Sequence, residues 1–282
     1  MKSPTTFNLL TAALAGSMLF AGSAVASESL TPAEDSTPDT IVLEGTLRDF
    51  KEDHPDMQNP DKSFGVKTGL VQDYLDGPVG VGKPVLSSGD STRGMITGEE
   101  SFNQWFRDVD GVNKSSNYAI TLEPLAGSPG VFYFARERQS SNADERYFFP
   151  MDEVTDPDES WSDFRTESTG THNFFFTYEL RTLFTFTPRS KRDDPSQDMT
   201  FKFVGDDDVW VFINGKLAVD IGGVHGQANG EVNLDNVASD LGLEPNGTYE
   251  LVLFFAERHV TESNFRIETT LKLSTETEPL YD

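Results

Sequence analysis

Across 282 residues the chain carries 22 Lys and Arg against 47 Asp and Glu, a formal net charge of −25, with 11% aromatic residues and no cysteine. So acidic a surface excludes nucleic acid and anionic lipid as direct partners, since both demand a basic face. Without cysteine there are no disulfides, no thiolate chemistry and no thiolate zinc site, so stability has to come from an apolar core or from bound metal.

Met1 to Ala26 opens with Lys2, continues through an apolar run from Leu9 to Phe20 and closes on the small residues Ala24, Val25 and Ala26. That is the layout of a cleavable secretory signal, and the run is too short for a membrane span. Cleavage near Ala26 and a secreted, extracellular protein are the expectation. No other segment is apolar enough to span a membrane, and the residues ending at Asp282 predict no anchor. Loss of Lys2, the only charge in residues 1–26, takes the net charge from −25 to −26. Such a charge suits a salty or divalent-rich medium, where self-repulsion is screened within about 8 Å. Residues 27–40, acidic and containing Pro, predict a disordered linker.

The first strand is predicted at Ile41–Leu47, followed by an irregular stretch over 51–63. In Thr97–Val109 the Thr97/Glu100 pair has capping-box spacing, and Phe102, Trp105, Phe106 and Val109 share a helical face, so the spacing predicts a helix there, the longest of the chain. Short strands follow at 118–122 and 131–135, then a buried bend at 148–151 and a solvated acidic loop over 152–163. Further strands are predicted at 173–180, 182–187, 199–204, 209–213, 216–219, 231–234, 249–256 and 265–273, with a turn over 241–248. This is an all-β reading: one sandwich or barrel over 41–282 whose amino-terminal half is elaborated and holds one short helix. The segments 131–138 and 253–259 echo each other, but their flanks do not, so no internal repeat is assigned.

The segment Phe201–Asp220, FKFVGDDDVWVFINGKLAVD, is the most informative. Alternation at Phe201, Phe203, Trp210 and Phe212 predicts strands with one face on a core and the other outside. Asn214-Gly215 predicts a tight hairpin, because a type I′ turn needs positive φ twice. Asp206, Asp207 and Asp208 then share one tip. Neighbouring carboxylates about 4 Å apart repel by roughly 4 kcal/mol at an effective dielectric near 20, so either water or a cation screens them.

Hard oxygen donors suit calcium. Asp206 and Asp207 offer adjacent carboxylates, and the loop His259–Asn264 could complete a shell through Glu262 or Asn264. An acidic turn that only faces water is the plainer reading. Asp108 to Asn113 begins like an EF-hand loop but lacks its glycine and glutamate, so it reads as a helix exit. His225 and His259 lie near the tip without a helical zinc-ligand pair, and backbone bonding is their simpler role. No Gly-x-Ser-x-Gly elbow is present. One of Asp206–Asp208 with Glu257 would make a glycosidase carboxylate pair, although adjacent aspartates look more like cation ligands. Trp210 alternates with Phe212, which favours core over a sugar-stacking platform.

Gly205–Lys216, Asp220–Gly226, Phe255–His259 and Ser263–Ile267 together resemble the fibro-slime domain, a branch of the protective-antigen-like β-barrels of extracellular proteins. The likeness extends to 45–50 with 54–56, to 102–113 and to 172–180, nearly all of the chain beyond the leader. In that superfamily, flocculins and adhesins bind calcium through two adjacent aspartates joined by a cis peptide, and the ion coordinates sugar hydroxyls. The resemblance therefore implies Ca2+ as cofactor, Asp206, Asp207 and Asn264 as metal ligands, and Asp208, His225, Glu257 and His259 around the ligand. It implies a non-enzymatic, calcium-dependent carbohydrate-binding or adhesion module whose partner is an extracellular glycan or matrix polysaccharide. The alternatives are a structural matrix protein with a calcium-braced loop and, ranked last, a glycoside hydrolase.

Overall fold

Alternating apolar residues build the strands, and aromatic bulk on both sides of some strands decides how they are covered. The computed structural model describes residues 40–57, 65–88, 94–140, 142, 146–154, 156, 158–161 and 163–274. The expected leader and residues 27–39 of the expected linker lie outside the described residues. Those described belong to one compact unit within Pro38–Asp282. No helix among the described residues is long and apolar enough to cross a membrane.

A curled antiparallel sheet dominates. Its first half runs from β12 (Ala228–Asn233) through β9 (Thr200–Gly205), β14 (Phe265–Thr269) and β5 (Phe132–Arg136) to β4 (Asn113–Pro124). The second half continues through β1 (Ile41–Phe50), β8 (Phe176–Thr185), β13 (Thr248–Glu257), β10 (Asp208–Ile213), β11 (Lys216–Ile221), β2 (Val71–Asp76) and β3 (Lys83–Leu86), with β15 (Leu273–Ser274) beside β8. The sheet curls until β12 lies on β11. A Cβ at Gly230 would sit 2.4 Å from Val219 Cγ1, so only glycine allows that approach. The all-β sandwich or barrel expected from the alternation is the architecture found.

Inside the curl, Leu47, Tyr178, Phe203, Val209, Val211, Leu253, Phe255, Phe265 and Ile267 form the main core. The expectation that β10 shows one face to solvent is corrected: all six of its residues are buried. Trp210 and Phe212, with Phe254 of β13, pack beneath Leu70, Met95, Phe102, Trp105 and Phe106 from the amino-terminal half. Burying each large apolar side chain contributes roughly 1.5–3 kcal/mol, so this second layer is a core of its own.

The helix expected over 97–109 shrinks to α1 (Glu99–Phe102), and the capping box does not form: Gly98 is the N-cap, with no side-chain cap. Tertiary bonds prevail over local spacing. Thr97 N and Trp105 Nε1 both donate to Asp56, and Asn113 Nδ2 caps the carbonyls of Gln104 and Arg107. The apolar side chains at 102, 105 and 106 are nevertheless buried, set on successive turns. The longer helix is α2 (Leu234–Leu241), where one strand end and a turn were expected, so the chain has two α-helices among its described residues rather than one. Asn233 caps it by accepting from Asp235 N, and Gly242 ends it at φ 72.

The strands expected at 173–180 and 182–187 form the single β8, while 265–273 divides into β14 and β15. The sequence reading missed β2, β3 and the small hairpin of β6 (Arg165–Glu167) and β7 (Gly170–His172). The acidic loop after 152 is tied down rather than merely solvated. Asp152 accepts from Asn173 N and bonds His172 Nδ1, and Trp161 N donates to the buried Asp49.

Candidate cation site at the acidic tip

The acidic loop does not close a hairpin. β9 and β10 lie in different halves of the sheet, and residues 205–208 carry the chain across between them. Gly205 is required there, because a Cβ would meet Asn264 O at 2.5 Å. The cis peptide implied for the aspartate pair is absent: no described peptide is cis, and the chain turns instead through Asp207 at φ 48. Aspartate is among the few residues that tolerate this left-handed region, so the turn is made without a cis bond.

Between them the three aspartates clamp three segments. Asp206 Oδ2 accepts from Asn264 N at 3.0 Å and Asn264 Nδ2 at 2.6 Å. Asp207 accepts from His225 N at 3.1 Å and from Arg258 N at 2.9 Å, one on each oxygen. Asp208 accepts from Gly223 N at 2.6 Å, and its Oδ2 is gripped by Arg258 Nε at 2.7 Å and Nη2 at 2.6 Å. Five of the six carboxylate oxygens are thus satisfied from the protein, while Asp206 Oδ1 is buried without a partner.

Asn264 stands beside the pair as expected for a second-loop residue, but its Oδ1 accepts from Arg138 N at 2.8 Å, which aims its Nδ2 at Asp206. In this arrangement it acts as a donor to the carboxylate. His225 Nδ1 lies 2.7 Å from Gly226 O, to which it donates, and its Nε2 is buried and unpartnered. Glu257, at the end of β13, is wholly buried with Oε2 unpartnered. His259 is half-buried, its N–H donating to Glu257 Oε1. Trp210 lies in the core, its Nε1 donating to Asp220.

Electrostatics follow from this crowding. Burial, ahead of every other influence, pushes the Asp206 carboxyl up to about 6. Burial also raises Asp207, with Asp208 and Asp206 adding repulsion against the opposing pull of Arg258. Glu257 is pushed well above the usual carboxylate range, first by burial, then by the charges of Asp207 and Asp206. A cation would reverse this penalty. The unpartnered oxygens of Asp206 and Glu257 are of the hard type calcium takes, and main-chain oxygens and water would have to supply much of the shell. Among the described residues, no group of three or more His, Asp or Glu is placed to hold a metal.

Sequence reasoning missed Arg258. Its guanidinium, 1% exposed on the side chain, lies 4.7 Å over the Trp105 ring and donates to Asp56 O and Met95 O as well as to Asp208. The signal was the echo between 131–138 and 253–259: Arg138 and Arg258 each follow a strand exit and each donate a backbone N–H into the tip.

Against known proteins, protein psiQ of Dictyostelium discoideum is 35% identical over 244 residues, 85% of this chain and 22% of psiQ. Protein psiR of the same organism is 32% identical over 257 residues, 88% of this chain and 23% of psiR. The chain thus spans less than a quarter of the length of these two curated relatives. The crystal structure of the PA14 domain of the MpAFP antifreeze protein aligns over 88% of this chain and 90% of its own, at 13% identity and a TM-score of 0.29. The sequence model of the PA14 domain matches residues 196–282, the segment that holds all three aspartates, Glu257, Arg258 and Asn264.

Proposed function

We propose that this protein is a secreted, calcium-dependent carbohydrate-binding or adhesion module of the fibro-slime branch, with the ion held at Asp206 and Asp207. The observation that carries the reading is the buried Asp206 Oδ1, a hard oxygen acceptor at the tip with no hydrogen-bond partner. An unpaired buried acceptor is costly, and a cation bound there, with water and main-chain oxygens completing its shell, would remove that cost. The PA14 match over 196–282 supports a carbohydrate-binding or adhesion role. A sugar or matrix polysaccharide would meet the loops at 222–226 and 259–264.

The test is thermal melting with calcium, magnesium and chelator at constant ionic strength. Calcium at about ten times its Kd should add roughly 1.4 kcal/mol of stability. Asp206→Asn together with Asp207→Asn should abolish the gain, and an unchanged gain in that variant would refute the assignment.

One observation favours the matrix reading, in which calcium only braces loops: Asp206, Asp207 and Asp208 are 4%, 3% and 0% exposed. A glycan array separates the two. Calcium-dependent binding to any glycan supports the adhesion role, and a flat array with calcium stabilisation retained supports the brace.

A further inference from the structure

The seam between β4 and β5 opens into a cleft whose β5 end adjoins the acidic tip, where Arg136 pairs with Phe265 and Arg138 N donates to Asn264. The ladder joining these strands has only two residue pairs, Glu123 with Tyr133 and Pro124 with Phe132. Beyond them β4 follows β1, while β5 follows β14, and the two part. The gap has a volume of about 640 Å³ and reaches from Tyr118 on one side to Gln139 and Ser140 on the other. That size falls within the range of ligand-binding clefts.

Its lining combines two kinds of surface. Tyr118 and Tyr133, both half-buried, supply aromatic carbon, and the Arg266 guanidinium lies 5.4 Å over the Tyr133 ring. Around them stand hydrogen-bonding groups of both senses. Arg266 is neutralised by Glu137 at 3.3 Å and Glu268 at 2.5 Å. Arg136 is not: its guanidinium sits 4.9 Å over Phe134, its Nη1 donates only to Ala135 O, and among the described residues it has no salt-bridge partner. Glu123 borders the opening, as does Glu153, which accepts from the Tyr118 hydroxyl at 3.3 Å.

These groups select a ligand class. Glu123 and Glu153, in a chain of net charge −25, disfavour an anion. Arg136, without a carboxylate partner among the described residues, disfavours a cation, and the charged rim disfavours an apolar molecule. A neutral polyhydroxyl chain fits every group. Its hydroxyls donate to carboxylates and accept from guanidinium, and its C–H faces lie on tyrosine rings. We propose that the cleft between β4 and β5 is a calcium-independent binding groove for a neutral oligosaccharide, oriented by Arg136 and stacked on Tyr133. The residues lining it include none of Asp206, Asp207, Glu257 or Asn264. The proposal therefore stands whether or not the acidic tip binds calcium.

The test is a backbone amide NMR titration of the whole protein in excess chelator, with cellohexaose, mannohexaose, xylohexaose and chitohexaose as probes. The expected result is saturable shifts of amides in 118–121 and 133–137 with at least one probe, with a Kd of about 1 mM or tighter. Arg136→Gln should weaken that binding at least tenfold while the melting temperature holds, and Tyr133→Ala should do the same. If the tyrosine variant fails to fold, the wild-type shift map and Arg136→Gln decide the matter. The proposal is overturned if no probe shifts the cleft amides saturably, if the shifts gather only at residues 206–208 and 257–264, or if Arg136→Gln binds like wild type. Because chelator is present throughout, failure here leaves the calcium reading to its own melting experiment.

Discussion

The two halves of the sheet are covered differently. Strands β10 and β13 are buried on both faces, by the main core on one side and by Trp105, Phe102 and Phe106 on the other. Strands β5, β14 and β9 bury one face only, and their other face carries Tyr133, Arg266, Glu268 and Lys202. The same period of two runs through both sets. What distinguishes them is the bulk at the second set of positions: Trp210, Phe212 and Phe254 in one half, charged residues in the other. A cluster of aromatic residues on the nominally outer face calls for a covering element, which Leu70, Met95, Phe102, Trp105 and Phe106 supply, whereas the single Tyr133 of the other half stays half-buried among charges.

Truncating the cover should expose this difference most sharply. Trp105→Ala removes a fully buried ring, its bond to Asp56 and the platform under Arg258, and should cost about 3–5 kcal/mol in urea unfolding. Tyr133→Ala, on the open face, should cost under about 1 kcal/mol. Equal losses would erase the distinction.

Charges should divide the same way. Arg258→Met leaves Asp208 buried without its cation and should cost about 3–5 kcal/mol, mostly from that stranded carboxylate. Adding Asp208→Asn should recover part of the loss; if the double variant is less stable than the single, the stranded charge is not the cause.

A third expectation concerns Asp49, wholly buried where β1 meets the third core cluster of Phe50, Phe174 and Phe175. Burial pushes its carboxyl up to about 6, despite bonds from Trp161 N, Asn173 and Ser160. Its folded value lies above an unfolded value near 3.9, so the folded state holds the extra proton between them. Its contribution is complete below about pH 4 and is lost as pH rises through 6, a fall of roughly 3 kcal/mol. Unfolding free energies across that window should show this component, and Asp49→Asn should remove it. A variant whose pH profile overlays wild type would refute the assignment.

The smallest effect belongs to the open face. Arg266→Gln breaks pairs with Glu137 and Glu268 in which every side chain is 17–23% exposed, and should cost below about 1 kcal/mol, less at high salt. A larger, salt-insensitive loss would show that this face is as tightly built as the covered one.

Much of this was legible in the residues. Strand positions followed from alternation, and Asn214-Gly215 does form the hairpin turn, at φ 51 and 73. The aspartate triplet marked the tip and the 259–264 loop beside it. Other features were hidden because long-range partners decide them. Thr97 and Glu100 have the spacing of a cap, but a single aspartate at position 56 takes the Thr97 N–H across 41 positions. No local rule reports that. Helix α2, by contrast, carried its own signals in Asn233 and Gly242, which a strand-biased reading of 231–234 passed over. Arg258 was disguised by the ordinary look of a charged strand exit; only the fold places it beneath Trp105.

The arrangement of main-chain donors around the three aspartates has a kinetic consequence. The N–H groups of Gly223, His225, Arg258 and Asn264 all end on carboxylates of a single short crossing between the sheet halves. The loop at 223–225 and the segment at Arg258 cannot swing outward one without the other, since Asp207 and Asp208 each hold both, and Asn264 hangs from the adjoining Asp206. Deuterium should therefore enter those four amides together, and only as rarely as the whole barrel opens, although all four belong to loops or strand ends that ordinarily exchange within minutes.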